Sequence, residues 1–271
     1  MDYSESKLPP TYDVAENELP YQIKLALWQT AFGLQKVDGL SPSEYMVELA
    51  YENIEGKKGY DAIYREISDY HREEHVDANT VEADIVSLRI AELLAEDHFL
   101  LSPSTLLGIH RHLFTDVFSE EIPVGKFRKV NITKKEPVLD GDTVQYSSHF
   151  MIQDTLVYDF EREQNFSYAG LTNEQKALHA MTFLADIWQV HPFREGNTRT
   201  VAVFGIQYLR KLGFHIDNSL FSEHAAYFRN ALVLYHYHGE KHDKQFLKMF
   251  FENLLMGKKN ILSDEEMYSK K

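Results

Sequence analysis

A chain of 271 residues is long enough to bury one large core, or a core with a smaller attachment. Its content of 44% apolar and 26% charged residues is that of a folded, soluble protein and excludes a largely disordered or membrane-embedded one. A net charge of −14 opposes attraction to nucleic-acid phosphates or to an anionic membrane, and the lack of cysteine removes disulfides, thiolate metal sites and cysteine nucleophiles, which fits a reducing cytoplasm.

The opening residues MDYSESKLPP are polar and slightly acidic, so no secretory signal is expected, and no apolar run approaches the roughly 20 residues of a membrane span. Residues 1–80 read as an N-terminal helical segment in which Tyr21, Trp28 and Phe32 belong to a helix core that covers the rest of the protein or mediates self-association. Ser41-Pro42-Ser43-Glu44 predicts a helix start with Ser41 as N-cap, Pro42 in the first turn and Glu44 closing a capping box, the helix running on through Tyr45, Met46 and Leu49. The polar stretch His71 to Thr80 is weakly periodic and predicts a link to a main core over 81–258.

Within that core, Ser102-Pro103 starts a helix that carries Leu106, Ile109, His110 and Leu113 at helical spacing. From Lys126 to Tyr146, β-branched and aromatic residues surround Asp140-Gly141, which predicts a β-hairpin flap over 125–147 with Asn131, Thr133 and Lys134 facing a bound partner. Thr172 to Gln175 caps a helix with Ala177, Met181, Leu184, Ile187 and Trp188 on one buried stripe, delivering the chain to His191. A further helix follows Asn197, with Gly213 suited to the left-handed residue past its end, and 259–271 forms a C-terminal tail. The fold class is mainly α.

The chemistry concentrates in the helix-to-helix connection His191-Pro192-Phe193-Arg194-Glu195-Gly196-Asn197-Thr198-Arg199. The start of the second helix offers free backbone amides and a partial positive charge, a ready anion site. Gly196 permits close backbone approach, Asn197 adds a neutral donor, and Arg199 a forked cation suited to phosphate. Glu195 beside bare phosphates calls for a divalent cation between them, and Mg²⁺ favours such coordination. His191, with an ordinary pKa near neutrality, is placed to act as general base, while Phe193 anchors the loop in the core.

HPFREGNTR resembles the signature of the Fic family, HPFx(D/E)GN(G/K)R, and agrees at eight of nine positions. Gly125-Lys126-Phe127-Arg128 resembles the family's segment before the loop, and the likeness in helix order extends over about Ser87 to Gly257. The resemblance implies a Fic-type helical bundle and a protein adenylyltransferase that moves AMP from ATP to a Ser, Thr or Tyr hydroxyl of a protein target, the chain itself included. It gives His191 the role of base, Glu195 that of Mg²⁺ ligand, and Gly196, Asn197, Thr198 and Arg199 the ATP phosphates, with the flap aligning the target by strand-like pairing. Asn230, in Tyr227-Phe228-Arg229-Asn230, takes a nucleotide contact by the same likeness. The pattern departs at Thr198, where Gly or Lys is usual, and at Ala202, where many members carry a second arginine. The family's inhibitory (S/T)xxxE(G/N) motif is also absent: Ser87 to Ala91 lacks the acid and Tyr51 to Gly56 lacks the leading hydroxyl residue. The sequence therefore predicts an enzyme free of that restraint, with a catalytically weak or inactive binding scaffold as the alternative.

Overall fold

The computed structural model describes residues 19–216 and 219–269. Among them are eleven α-helices and no strand. In chain order they are α1 (Tyr21–Gln35), α2 (Glu44–Ile54), α3 (Tyr60–Glu73), α4 (Ala78–Ala95), α5 (Pro103–Phe114), α6 (Ile152–Gln164), α7 (Asn173–Val190), α8 (Asn197–Lys211), α9 (Ser219–His236), α10 (Gln245–Met256) and α11 (Asp264–Ser269). None is long and apolar enough to cross a membrane.

Where helix starts depend on local chemistry, the sequence places them correctly. Ser102 Oγ accepts the Thr105 amide at 3.2 Å, with Pro103 in the first turn of α5. Thr172 and Gln175 form a reciprocal capping box at the start of α7, and Gly213, at φ 86°, follows α8. At α2 the cap moves: Ser43, not Ser41, accepts the Met46 amide at 3.0 Å. The reason is tertiary, because the fully buried Asp84 of α4 holds the Ser43 amide at 2.7 Å and its hydroxyl at 2.8 Å. Asp84 also holds His71 Nε2 at 2.8 Å, and α3 runs as far as Glu73. The expected link over His71 to Thr80 is thus a short turn between two helices, with Asp77 capping α4 through the Asn79 and Thr80 amides.

Helix α8 lies in the middle of the protein, buried without interruption from Asn197 to Leu209, and packs on α4, α5 and α7. Helix α1 lies against α4 and α9, and its Leu27, Trp28, Ala31 and Leu34 join the same apolar core as α7 and α8.

The flap departs from expectation, since residues 125–147 form no hairpin. Asp140 and Gly141 do make a tight turn with left-handed backbone, φ 57° and 92°. Across it the Glu136 amide donates to Asp142 O at 2.8 Å, but Lys134 reaches only the Thr143 hydroxyl, at 3.3 Å. Pro137 has no amide to give a ladder, and Pro137–Leu139 coil into a 3₁₀ turn that buries Val138 and Leu139. The ends of the segment are gathered instead by Arg128, whose guanidinium donates to the carbonyls of Val130 at 2.7 Å, Ser147 at 2.5 Å and His191 at 2.8 Å.

Gly33 marks a tight helix contact. A methyl group there would overlap the α9 backbone at Phe221 O and Ser222 Cα, so the two helices would have to separate. Gly33→Ala is expected to cost about 2–3 kcal/mol, read as a lower urea midpoint with unchanged slope.

Candidate active site

The loop 191–196 is braced from below by a histidine. The His110 ring stacks on Phe193 with centroids 3.8 Å apart, accepts the Gly125 amide at Nδ1 (2.9 Å) and donates from Nε2 to Glu195 O (3.1 Å). Those two bonds fit only the neutral ring, and burial pushes its pKa down to about 4. Asn197 staples the loop from inside. Its Oδ1 accepts the Phe193 amide and its Nδ2 donates to Phe193 O, both at 2.9 Å, so the side chain expected to meet phosphate is already used. Gly196, at φ 71°, serves as N-cap of α8, and a Cβ there would overlap the Phe114 ring.

His191 ends α7 in a left-handed conformation, φ 50° and ψ 60°. Its Nδ1 lies 3.0 Å from Trp188 O, an acceptor only, so the proton sits on Nδ1 and Nε2 keeps its lone pair. Tyr146 stacks on the imidazole at 3.9 Å and 21°, and the Trp188 indole stands at 88° to it, 5.1 Å away. Burial is the main force lowering the pKa, to about 3. The Trp188 carbonyl opposes the shift, and Lys134, Arg128 and Arg229 add to it.

These groups open onto a cleft of about 300 Å³ that brings together His191, Glu195, Gly196, Asn197 and Thr198 with Thr133 and Lys134 from the flap and Arg229 from α9. Helix α8 has no side-chain cap, so its first amides are open for an anion. Burial pushes the Glu195 carboxyl above its usual range; Lys134 and Arg199 work against this, while Asp38 and Glu82 reinforce it. Glu195 forms no ion pair among the described residues, and a cation beside it would offset that cost.

Three expected contacts lie elsewhere. Arg199 is 2% exposed and does not line the cleft. Its Nη1 donates to Gln35 at 3.1 Å, its Nη2 to Glu82 at 2.5 Å, and Asp38 Oδ2 lies 2.9 Å from Nε without hydrogen-bond alignment. Its guanidinium also covers the Phe114 ring at 4.9 Å. This arginine ties α1 and α4 to the start of α8 and carries little free charge toward a ligand. Asn230 is turned from the cleft and bonds Asp264 at 3.3 Å. Asn131 accepts the His149 amide at 2.9 Å rather than facing the cleft. Thr198, one of the two departures, uses its hydroxyl to accept Trp188 Nε1 at 3.0 Å, and Ala202 is buried against an apolar cavity with Leu184 and Phe228. The sequence reading missed Tyr146 and Arg229; only the aromatic and basic bias around the loop hinted at them.

Residues 100–209 match the Fic/DOC family. The chain is also 32% identical over 112 residues to the protein adenylyltransferase VbhT of Bartonella schoenbuchensis, covering 40% of this chain and 21% of that protein. It is 32% identical over 122 residues to the probable protein adenylyltransferase y4lH of Sinorhizobium fredii, covering 41% and 54%. The chain thus spans about a fifth and about half of the length of these two relatives. Among solved structures, the BepC effector of Bartonella tribocorum with bound AMPPNP aligns at TM-score 0.50 and 20% identity, over 65% of this chain and 85% of that one. The N-terminal Fic domain of Bep8 from Bartonella sp. 1-1C aligns at 0.51 and 20%, over 71% and 87%. At such identity these two establish a shared Fic fold.

Desolvation lowers three histidines, His110 and His236 to about 4 and His191 to about 3, which gives the protein a definite acid response. Below about pH 6.5 the unfolded chain protonates these rings while the folded one does not, so stability falls by up to about 1.4 kcal/mol per pH unit for each ring until the folded values are reached. The melting temperature is expected to drop between roughly pH 6.5 and pH 4, and replacing His236 with Gln is expected to reduce that dependence.

Proposed function

We propose that the chain transfers AMP from ATP to a hydroxyl side chain of a protein. The observation that carries this reading is the shared cleft: a neutral imidazole with its Nε2 lone pair free lies beside the uncapped N-terminus of α8 and an unpaired carboxylate. Kinship with the two adenylyltransferases at 32% identity supports it.

The target oxygen attacks the α-phosphorus, the bond to the bridging oxygen of the β-phosphate breaks, pyrophosphate departs, and the hydroxyl proton passes to His191 Nε2. The amides of Asn197 and Thr198 hold phosphate oxygens, with Lys134 as the nearby cation. Glu195 would hold Mg²⁺, whose charge offsets that of the phosphates. A bound triphosphate also adds negative charge near Lys134, Arg128 and Arg229, the cations that depress the imidazole, and so raises its basicity when the substrate is in place. The target is a protein, the chain itself included: Tyr268 lies exposed in α11, whereas Tyr3 and Tyr12 lie outside the described residues.

The ties on Arg199, together with Ala202, favour one rival, a nucleotide-binding scaffold without turnover. α-Labelled ATP with cell lysate separates the two. Under the enzyme reading His191→Ala lowers labelling by about 10²–10⁴ while ATP affinity stays within about twofold. Wild-type protein that binds ATP yet labels nothing would establish the scaffold.

A further inference from the structure

An imidazole that takes a proton from an attacking hydroxyl must present one nitrogen, in one plane, to one point in the cleft. The Nδ1 bond to Trp188 O selects the nitrogen but leaves the ring free to tip about that bond. What removes this freedom is the phenol ring of Tyr146, which covers one face of His191 at 3.9 Å and 21°. The Trp188 indole closes a second side, at 88° to His191 and 74° to Tyr146. The indole is in turn pinned by Thr198, whose hydroxyl accepts Trp188 Nε1 at 3.0 Å.

The stack is held by the backbone as well. The Arg128 guanidinium donates both to Ser147 O, next to Tyr146, and to His191 O, so one rigid planar group fixes the two stacked residues relative to each other. The Tyr146 hydroxyl lies outside the stack: it interacts with the buried Glu136, whose carboxylate also takes Arg229 at 2.5 Å.

We propose that Tyr146 is a positioning residue for His191, acting through the face of its ring and not through its hydroxyl, with Thr198 and Trp188 completing the clamp. The proposal rests on the adenylyl-transfer reading for its effect on rate, but not for its effect on the imidazole. Thr198 then has a function of its own: a Gly or Lys at that position would leave the indole nitrogen without this acceptor.

The test uses the full chain with ¹⁵N-labelled histidine, the His191 signals being identified by their loss in His191→Ala. Wild-type and Tyr146→Phe proteins should show His191 in the single tautomer protonated at Nδ1, and Tyr146→Phe should label targets at close to the wild-type rate. Tyr146→Leu should keep that tautomer, which Trp188 O selects, but broaden the His191 ring signals by exchange among tipped orientations, with kcat lowered by about tenfold to a hundredfold and KM for ATP unchanged. Thr198→Val, which keeps shape and removes the acceptor, should move both readouts in the same direction by less. The proposal is overturned if Tyr146→Leu leaves the His191 ring signals as narrow as in the wild type, or if Tyr146→Phe is as damaging as Tyr146→Leu. The spectra need no turnover, so narrow wild-type His191 signals that broaden in Tyr146→Leu, with no labelling, would sink the adenylyl-transfer reading and leave the clamp standing.

Discussion

Everything at the site hangs on a buried guanidinium. Arg128 is 2% exposed and has no carboxylate partner among the described residues; its charge is met by the carbonyls of Val130, Ser147 and His191, with Val190 O at 3.4 Å. Hydrogen bonds from a charged donor contribute about 1.5–3 kcal/mol each, which is what makes burial of the cation tolerable. These carbonyls come from both ends of the flap and from the end of α7, none of them paired in regular structure. In a hairpin, backbone ladders would join the strands; here one side chain gathers the ends, leaving the middle of the segment to turn inward.

This substitution explains much of what the sequence did and did not disclose. Helix starts at Ser102 and Thr172 were legible because a cap is settled within four residues. The shift from Ser41 to Ser43 was not, since Asp84, 41 residues away, decides it. The flap looked like a hairpin because β-branched residues around Asp140-Gly141 satisfy a local rule, while Pro137 and the distant carbonyls bound by Arg128 defeat it. In the loop, residue types disclosed the chemistry but not each residue's partner. Asn197 and Arg199 were read as donors, and both do donate, but to Phe193 O and to Gln35 and Glu82. Glu82 is 117 residues away, and nothing in the motif points to it.

The distribution of charge has a related logic. Against a net −14, the positive groups lining the cleft are Lys134, Arg194 and Arg229, while Arg199 is neutralised by Asp38 and Glu82 from the N-terminal part of the chain. The carboxylates that meet this arginine are not Glu55 or Glu92, which pair with Lys57 and His112. The first turn of α8 is therefore stabilised by the same segment that shares its apolar core.

Trp188 gives the protein an optical property. It is one of two tryptophans, and its indole lies in the wall of the cleft, bonded to Thr198 and edge-on to His191. The other, Trp28, is fully buried in α1 and bonded to Asn53. With Trp28 changed to Phe, all indole emission would originate within van der Waals reach of the imidazole, making the intrinsic fluorescence of the chain a label-free monitor of proton and ligand occupancy at that one point.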